Sequence, residues 1–306
     1  MNVEEQHLEP LDLEMLQQIA GPEPGNTVVH PSEVRQAVGK ELDAWILAGQ
    51  AEHESFIVKE AVQEATAKDI KDYGKRPLPM VNVWSKTSDD HRKCRSCIAR
   101  NFQQIDPAAQ CWTAQAEPSS IFVAAKIAAR QKWKVSKLDV KGAFLNAHIP
   151  DDELILVQPP KQWVDWGIVQ PGVLRKLRRA VYGFRQSPKW WSDERDNRFR
   201  KLRFTFESRD YYLQQNDADS QLWMLIEKST DKFQRRTGSS TAPGDTERRG
   251  KPSTEESPTR RRRVTFDDEV SMDTDELLGL ICVYVGDFLA IAPEGPIRDA
   301  LIRALT

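Results

Sequence analysis

Two aspartates close apolar, β-prone runs. Asp139 ends "WKVSKLD" (133–139), and Asp287 lies in "LICVYVGDFLAIA" (280–292). Carboxylates at strand ends suit hard divalent cations, which take oxygen ligands. Two such ions about 3.5–4 Å apart can clamp the attacking and leaving oxygens of a phosphoryl displacement. The two aspartates are far apart in the chain, and spacing alone does not bring them together. Gly286 precedes Asp287. A Gly-Asp pair between two apolar runs reads as a two-residue hairpin turn, and glycine suits the first central position of a type II′ turn. Glycine offers no ligand atom.

Other groups carry weaker signals. Cys94 and Cys97 form a CxxC, with His91 before it and Cys111 after it. A second closely spaced ligand pair is missing, so reduced thiols are expected and a structural zinc is not. Between Arg175 and Arg203 stand eleven Lys/Arg against three Asp/Glu, interleaved with Tyr182, Phe184, Trp190, Trp191 and Phe199. Cations among planar side chains suit phosphate backbones and stacked bases. The same composition also suits a solvated helix face over core aromatics.

The elements that must position these groups follow from periodicity. Val34, Val38, Leu42, Trp45, Ile46 and Ala48 recur at helical spacing after Pro31-Ser32. "VNVWSKT" (81–87) and "RKCRSCIARNF" (92–102) read as strands, and 118–131 as a helix capped by Ser119 or Ser120. Segments 133–140, 153–160, 172–184 and 219–228 read as further strands. Residues 187–204, opening with Ser-Pro, and 293–305 read as helices. Strands, hairpins and helices together make an α+β domain, its sheet mainly antiparallel and backed by helices.

A net charge of −2, 39% apolar and 29% charged residues describe a soluble chain. No apolar run approaches the roughly 20 residues of a membrane span. The acidic start "MNVEEQHLEPLDLEML" resembles neither a secretory signal nor a transit peptide, so cytosol or nucleus is expected. Residues 229–276 are dominated by Ser, Thr, Arg, Asp, Glu, Gly and Pro and are expected to be a disordered insert. Within it "RRRRVTFDDE" (260–269) resembles the R-V-x-F docking motif for type 1 protein phosphatase, through Arg263, Val264 and Phe266. The same run could serve importin recognition, or be a solvated linker.

Three longer blocks resemble the reverse transcriptase of copia-type LTR retrotransposons: "KLDVKGAFLNAHIPDDELILVQPP" (137–160), "LRKLRRAVYGFRQSPKWW" (174–191) and "VYVGDFL" (283–289), which stands where that family has Y-V-D-D. Trp45, Ala48 and Glu52 resemble its W-x-x-A-x-x-x-E helix. The resemblance implies a truncated fragment of a Pol polyprotein with a fingers/palm fold and no thumb. Its parts would be an acidic arm (1–31), a helical lead-in (32–76), a fingers-like region (77–131), and a palm with fingers elements (132–228). The insert (229–276) then precedes the catalytic hairpin and the start of a helix (277–306).

The resemblance further implies RNA-directed DNA polymerisation with Mg²⁺ or Mn²⁺ at Asp139 and Asp287, on a primer–template with dNTPs. Phe144, Tyr182, Gly183, Lys93 and Arg95 (or Arg100 in place of Arg95) would face the nucleotide. Arg175, Lys176, Arg178, Arg179, Arg185 and Lys189 would contact nucleic acid. Gly286 falls on the first aspartate of Y-V-D-D, so weak or absent catalysis is expected, leaving a nucleic-acid-binding relic or interaction module as the alternative.

Overall fold

The computed structural model describes residues 26–104, 107, 109–228 and 277–305. The expected insert, with Arg263, Val264 and Phe266, lies outside the described residues, as do residues 1–25 of the expected acidic arm. The fold is α+β, with two six-stranded sheets.

The first sheet gathers β1 (Thr27–Val29), β2 (Val62–Glu64), β3 (Leu78–Lys86), β4 (Arg92–Ile98), β6 (Leu156–Gln158) and β7 (Arg175–Leu177). Their order is β1-β3-β6-β7-β2, with β4 along β3, and only β3 and β6 run parallel. Around it lie α1 (Pro31–Gln36), α2 (Lys40–Val58), α3 (Ala67–Tyr73) and the short α5 (Lys161–Asp165). Trp45 of α2 sets its ring edge-on to Trp84 of β3, with centroids 5.6 Å apart, in a cluster with Val29, Val34 and Cys94.

The second sheet is antiparallel throughout. It runs β5 (Lys134–Asp139), β12 (Asp287–Ala292), β11 (Leu277–Tyr284), β10 (Leu222–Glu227), β9 (Arg209–Gln215), β8 (Arg203–Phe206). β11 is buried along most of its length because both faces are covered, which fits its unbroken apolar sequence. On one face Leu280, Cys282 and Ile291 pack with Ala124 and Ala128 of α4 (Pro118–Gln131). On the other, Ile281, Val283, Trp223 and Phe288 pack with Trp191 and Phe199 of α6 (Ser187–Lys201) and Leu301 of α7 (Pro296–Leu305). β5 lies at the edge, where Lys134 and Lys137 mark it as a solvated border.

Several sequence expectations are corrected. Thr27–Val29, expected inside the loose arm, pairs with Trp84–Lys86. The strand expected over 92–102 ends at Ile98 and continues as a short 3₁₀ helix, Arg100–Phe102. The strand expected over 153–160 shrinks to Leu156–Gln158, and that over 172–184 to Arg175–Leu177, because the Arg178 and Arg179 N–H groups both turn to the Ala61 carbonyl. The residue capping α4 is Glu117, with Pro118 in the first turn, and Asp219 accepts the Glu117 N–H at 2.9 Å. The β8–β9 hairpin was not anticipated.

Candidate active site

β5 and β12 pair in a register that sets Asp287 directly opposite Asp139. One position further, the Val140 N–H donates to the Gly286 carbonyl at 3.1 Å. Opposed pairs alternate between hydrogen-bonded and non-hydrogen-bonded positions, so Asp139 and Asp287 occupy the closer, non-hydrogen-bonded kind. Directly opposed side chains share one sheet face with Cβ atoms about 4.5–5.5 Å apart. Tyr284, opposite Asp287 on its other side, stands on the same face and is 55% exposed. Lys137 also shares this face, two residues before Asp139, and its Nζ lies 3.2 Å from Asp287 Oδ1. The site is therefore a solvent-facing carboxylate pair with one lysine already attached.

The hairpin differs from expectation by one residue. Tyr284 and Asp287 are the last paired residues, so the central positions belong to Val285 and Gly286. Val285 has φ 53°, and Gly286 is absent from the positive-φ residues; this is the sign pattern of a type II′ turn. The left-handed position is held by a β-branched valine, and the glycine occupies ordinary backbone. Glycine at 286 is thus not demanded by the turn. A Cβ built there meets the Ala143 Cβ at 3.1 Å, a tight contact facing the loop that follows Asp139.

Helix α6 braces this turn from behind. Trp191 Nε1 donates to the Val285 carbonyl at 2.8 Å, and Arg195 Nη1 reaches the same oxygen at 3.4 Å. Arg195 is 2% exposed and also donates to Asp196, to Ser192 and to Gln221. Burial pulls the Arg195 pKa down, opposed by the Asp196 carboxylate. Sequence reasoning counted Arg195 only as one cation in a basic run; a lone arginine among many carries no sign that it will be buried.

The loop after Asp139 carries Phe144 in a short 3₁₀ helix, Ala143–Asn146. Phe144 packs edge-on against Tyr182, with centroids 5.0 Å apart, and the Arg95 guanidinium sits 4.6 Å from the Tyr182 ring centroid. Burial raises the Tyr182 pKa, with Arg95 acting the other way and Asp139 adding to the rise. Phe144, Tyr182 and Arg95 thus form one cluster, and Asp139 ends the strand that leads into the loop carrying Phe144. Gly183 lies in the loop after β7, against the end of β4: the Tyr182 carbonyl accepts from the Ile98 N–H at 2.8 Å, and Gly183 itself has φ 83°. A Cβ on Gly183 would lie 2.2 Å from the Ile98 carbonyl oxygen, so only glycine fits.

The other cations expected at the site are dispersed. Lys93 is part-exposed on β4 and pairs in register with Ser85 of β3, and Arg100 is exposed in the 3₁₀ helix beyond β4. Lys176 is ion-paired with Asp69 at 2.7 Å, and Lys189 with Asp193 one helical turn on. Arg175 lies in the short β7, between β2 and β6. Arg178 is exposed, while Arg179 and Arg185 each bury an unpartnered Nε. The basic run is therefore not one continuous surface.

Cys94 and Cys97 sit three apart on a strand and point to opposite faces, Cys94 into the Trp45–Trp84 cluster and Cys97 against Val83. Burial raises both thiols, and their geometry does not converge on a metal. Among the described residues no three His, Cys, Asp or Glu gather as a cation site. Asp139 and Asp287 place two carboxylates on one sheet face, and Gly286 adds no side-chain ligand atom beside them. No helix among the described residues is long and apolar enough to cross a membrane.

Residues 68–224 match the family model described as reverse transcriptase (RNA-dependent DNA polymerase), a span that includes Asp139, Phe144, Tyr182 and Gly183 and stops short of the hairpin. The chain is 35% identical over 79 residues to the retrovirus-related Pol polyprotein from transposon RE1 of Arabidopsis thaliana, covering 26% of this chain and 5% of that protein. It is 36% identical over 73 residues to the corresponding polyprotein from transposon RE2 of the same plant, covering 24% and 5%. The matched part is thus a small portion of either polyprotein. A family match over half the chain, together with these relatives, places the protein in the reverse transcriptase family, in its copia-type retrotransposon branch.

Proposed function

We propose that the chain is the fingers-and-palm part of an RNA-directed DNA polymerase, with the β5-β12-β11-β10-β9-β8 sheet as the palm and the β3–β4 sheet as the fingers. The observation that carries this reading is the direct opposition of Asp139 and Asp287 across β5 and β12. These two residues would hold Mg²⁺ or Mn²⁺, which supplies charge neutralisation at the oxygens of a transferring nucleotidyl group. Phe144, braced by Tyr182 in the loop that follows Asp139, would restrict the sugar of a bound dNTP. Arg95, seated on the Tyr182 ring, brings a guanidinium suited to a triphosphate. Arg195 and Trp191 fix the turn that carries Asp287.

Two features weaken catalysis in this reading. Position 286 has no carboxylate, and Lys137 occupies Asp287. They favour, as a second reading, a nucleic-acid-binding unit of reverse transcriptase fold with little turnover. Primer extension on poly(rA)/oligo(dT) with Mg²⁺ or Mn²⁺ separates the two. Extension that appears only with Gly286→Asp would mean a sound scaffold short of one ligand. Extension by the unaltered chain would mean that the Asp139–Asp287 pair suffices. Silence in both, with salt-dependent template binding retained, would favour the binding unit.

A further inference from the structure

The loop between Asp139 and His148 is gripped by cations from three separate segments. Lys59, just beyond α2, donates from Nζ to the Lys141 carbonyl at 2.7 Å and to Asn146 Oδ1 at 2.9 Å. Arg179 Nη1 lies 3.3 Å from the Asn146 carbonyl, and Arg198 Nη2 of α6 lies 3.5 Å from the same oxygen. Three cations thus crowd around neutral acceptors. Two of the four contacts, those of Arg179 and Arg198, are long, so the guanidinium donors are poorly used. Arg179 Nε is buried without a partner among the described residues. Arg198 has Glu194 at 2.8 Å, while the two charged side chains acting on Lys59 are both positive: its pKa is lowered by burial and then by Arg179 and Arg198. Like charges held together around carbonyl oxygens are stabilised by a bound anion.

We propose that Lys59, Arg179 and Arg198 form a phosphate-group site beside the Asn146 end of the loop. The ligand chemistry is a phosphate oxygen cluster, supplied either by a nucleic-acid backbone or by free pyrophosphate. The site departs from the linear basic run: Lys59 lies outside that run, and two of the run's own members, Lys176 and Lys189, are neutralised by Asp69 and Asp193. The inference rests on the nucleic-acid reading of this chain only for the backbone source. Loss of primer extension in every variant would defeat the polymerase reading and leave this site untouched.

The test titrates the whole chain with inorganic pyrophosphate and, separately, with a short single-stranded DNA, by calorimetry at two salt concentrations. Lys59→Met and Arg198→Gln are compared with Arg130→Gln, an equal charge change at the exposed end of α4. Each cluster variant should weaken binding by roughly tenfold, and should lower the salt slope for DNA by roughly one. Weakening for both probes assigns a general phosphate site, and weakening for DNA alone assigns a backbone site. Arg198→Gln alters an exposed helix position, so it remains informative where Lys59→Met disturbs the loop. Both cluster variants binding both probes as tightly as Arg130→Gln, or the whole chain binding neither probe, would overturn the proposal.

Discussion

Lys137 Nζ lies 3.2 Å from Asp287 Oδ1 on the sheet face that Asp287 shares with Asp139, so a lysine stands where a divalent ion would compete for the same oxygen. Both side chains are well exposed, at 70% and 43%, and an exposed pair of this kind contributes little to stability. Lys137→Met should therefore leave the melting temperature nearly unchanged while strengthening Mn²⁺ binding, by roughly threefold to tenfold, because one positive charge leaves the site. Asp287→Asn should abolish that binding. Manganese paramagnetic resonance titration reads both. Equal affinity in Lys137→Met and the unaltered chain would show that the lysine does not compete.

The turn at Val285–Gly286 makes an opposed pair of predictions. Val285 holds φ 53°, a left-handed conformation that costs a β-branched residue of order 1–3 kcal/mol. Val285→Gly should stabilise the chain by about 1 kcal/mol, since glycine removes the strain and adds back part of it as unfolded-state entropy. Gly286→Ala should be close to neutral or slightly destabilising, because its φ is not positive and its Cβ meets the Ala143 methyl at 3.1 Å and the Val140 carbonyl oxygen at 3.9 Å. Urea denaturation compares the two. The reverse order, with Gly286→Ala the damaging change, would restore glycine to the strained position.

Periodicity and turn chemistry made much of this architecture legible, and their failures have physical causes. The apolar runs of β11 and β12 and the Ser-Pro start of α6 could be read directly from residue types. The β8–β9 hairpin could not: its turn residues, Glu207 and Ser208, adopt φ 48° and 64° without the Asn-Gly or Asp-Gly signal that normally marks such a turn. Asp139 and Asp287 were identifiable through the blocks around them, but their register depends on pairing between distant strands. Arg195 and Lys59 were invisible as special residues. One is buried by the packing of α6 under the turn, and the other reaches a loop 82 positions away.

Gly183 presses the loop after β7 against the end of β4 through a contact with no room for a side chain. Its φ of 83° and the 2.2 Å separation of a built Cβ from the Ile98 carbonyl oxygen act together, and the obstacle is backbone that cannot swing away. Gly183→Ala should destabilise by more than about 3 kcal/mol, or prevent folding to the native state. It should also separate Tyr182, and with it Phe144, from β4. A melting curve with tryptophan fluorescence checks this. A loss below about 1 kcal/mol, the ordinary cost of a compatible glycine replacement, would mean that this loop can part from β4 without consequence.

Glu52 introduces a pH dependence. It is partly buried beside β4, where its Oε1 accepts the Ser96 N–H at 2.9 Å. Burial raises its pKa to about 7, against the lowering effects of the Ser96 hydrogen bond and of Arg95 and Lys93. A carboxyl whose pKa is higher when folded than when unfolded binds its proton more tightly in the folded state. Its contribution is fully present below the unfolded pKa of about 4.3 and is lost as pH rises through the folded value. Stability should accordingly fall between about pH 4.5 and 7 by on the order of 3 kcal/mol from this group. Glu52→Gln holds a neutral side chain in the same space and should flatten that slope while keeping the Ser96 contact. Denaturant midpoints measured across this range for both proteins decide it. A slope that persists unchanged in Glu52→Gln would assign the pH dependence to other groups and leave Glu52 ionised in its pocket.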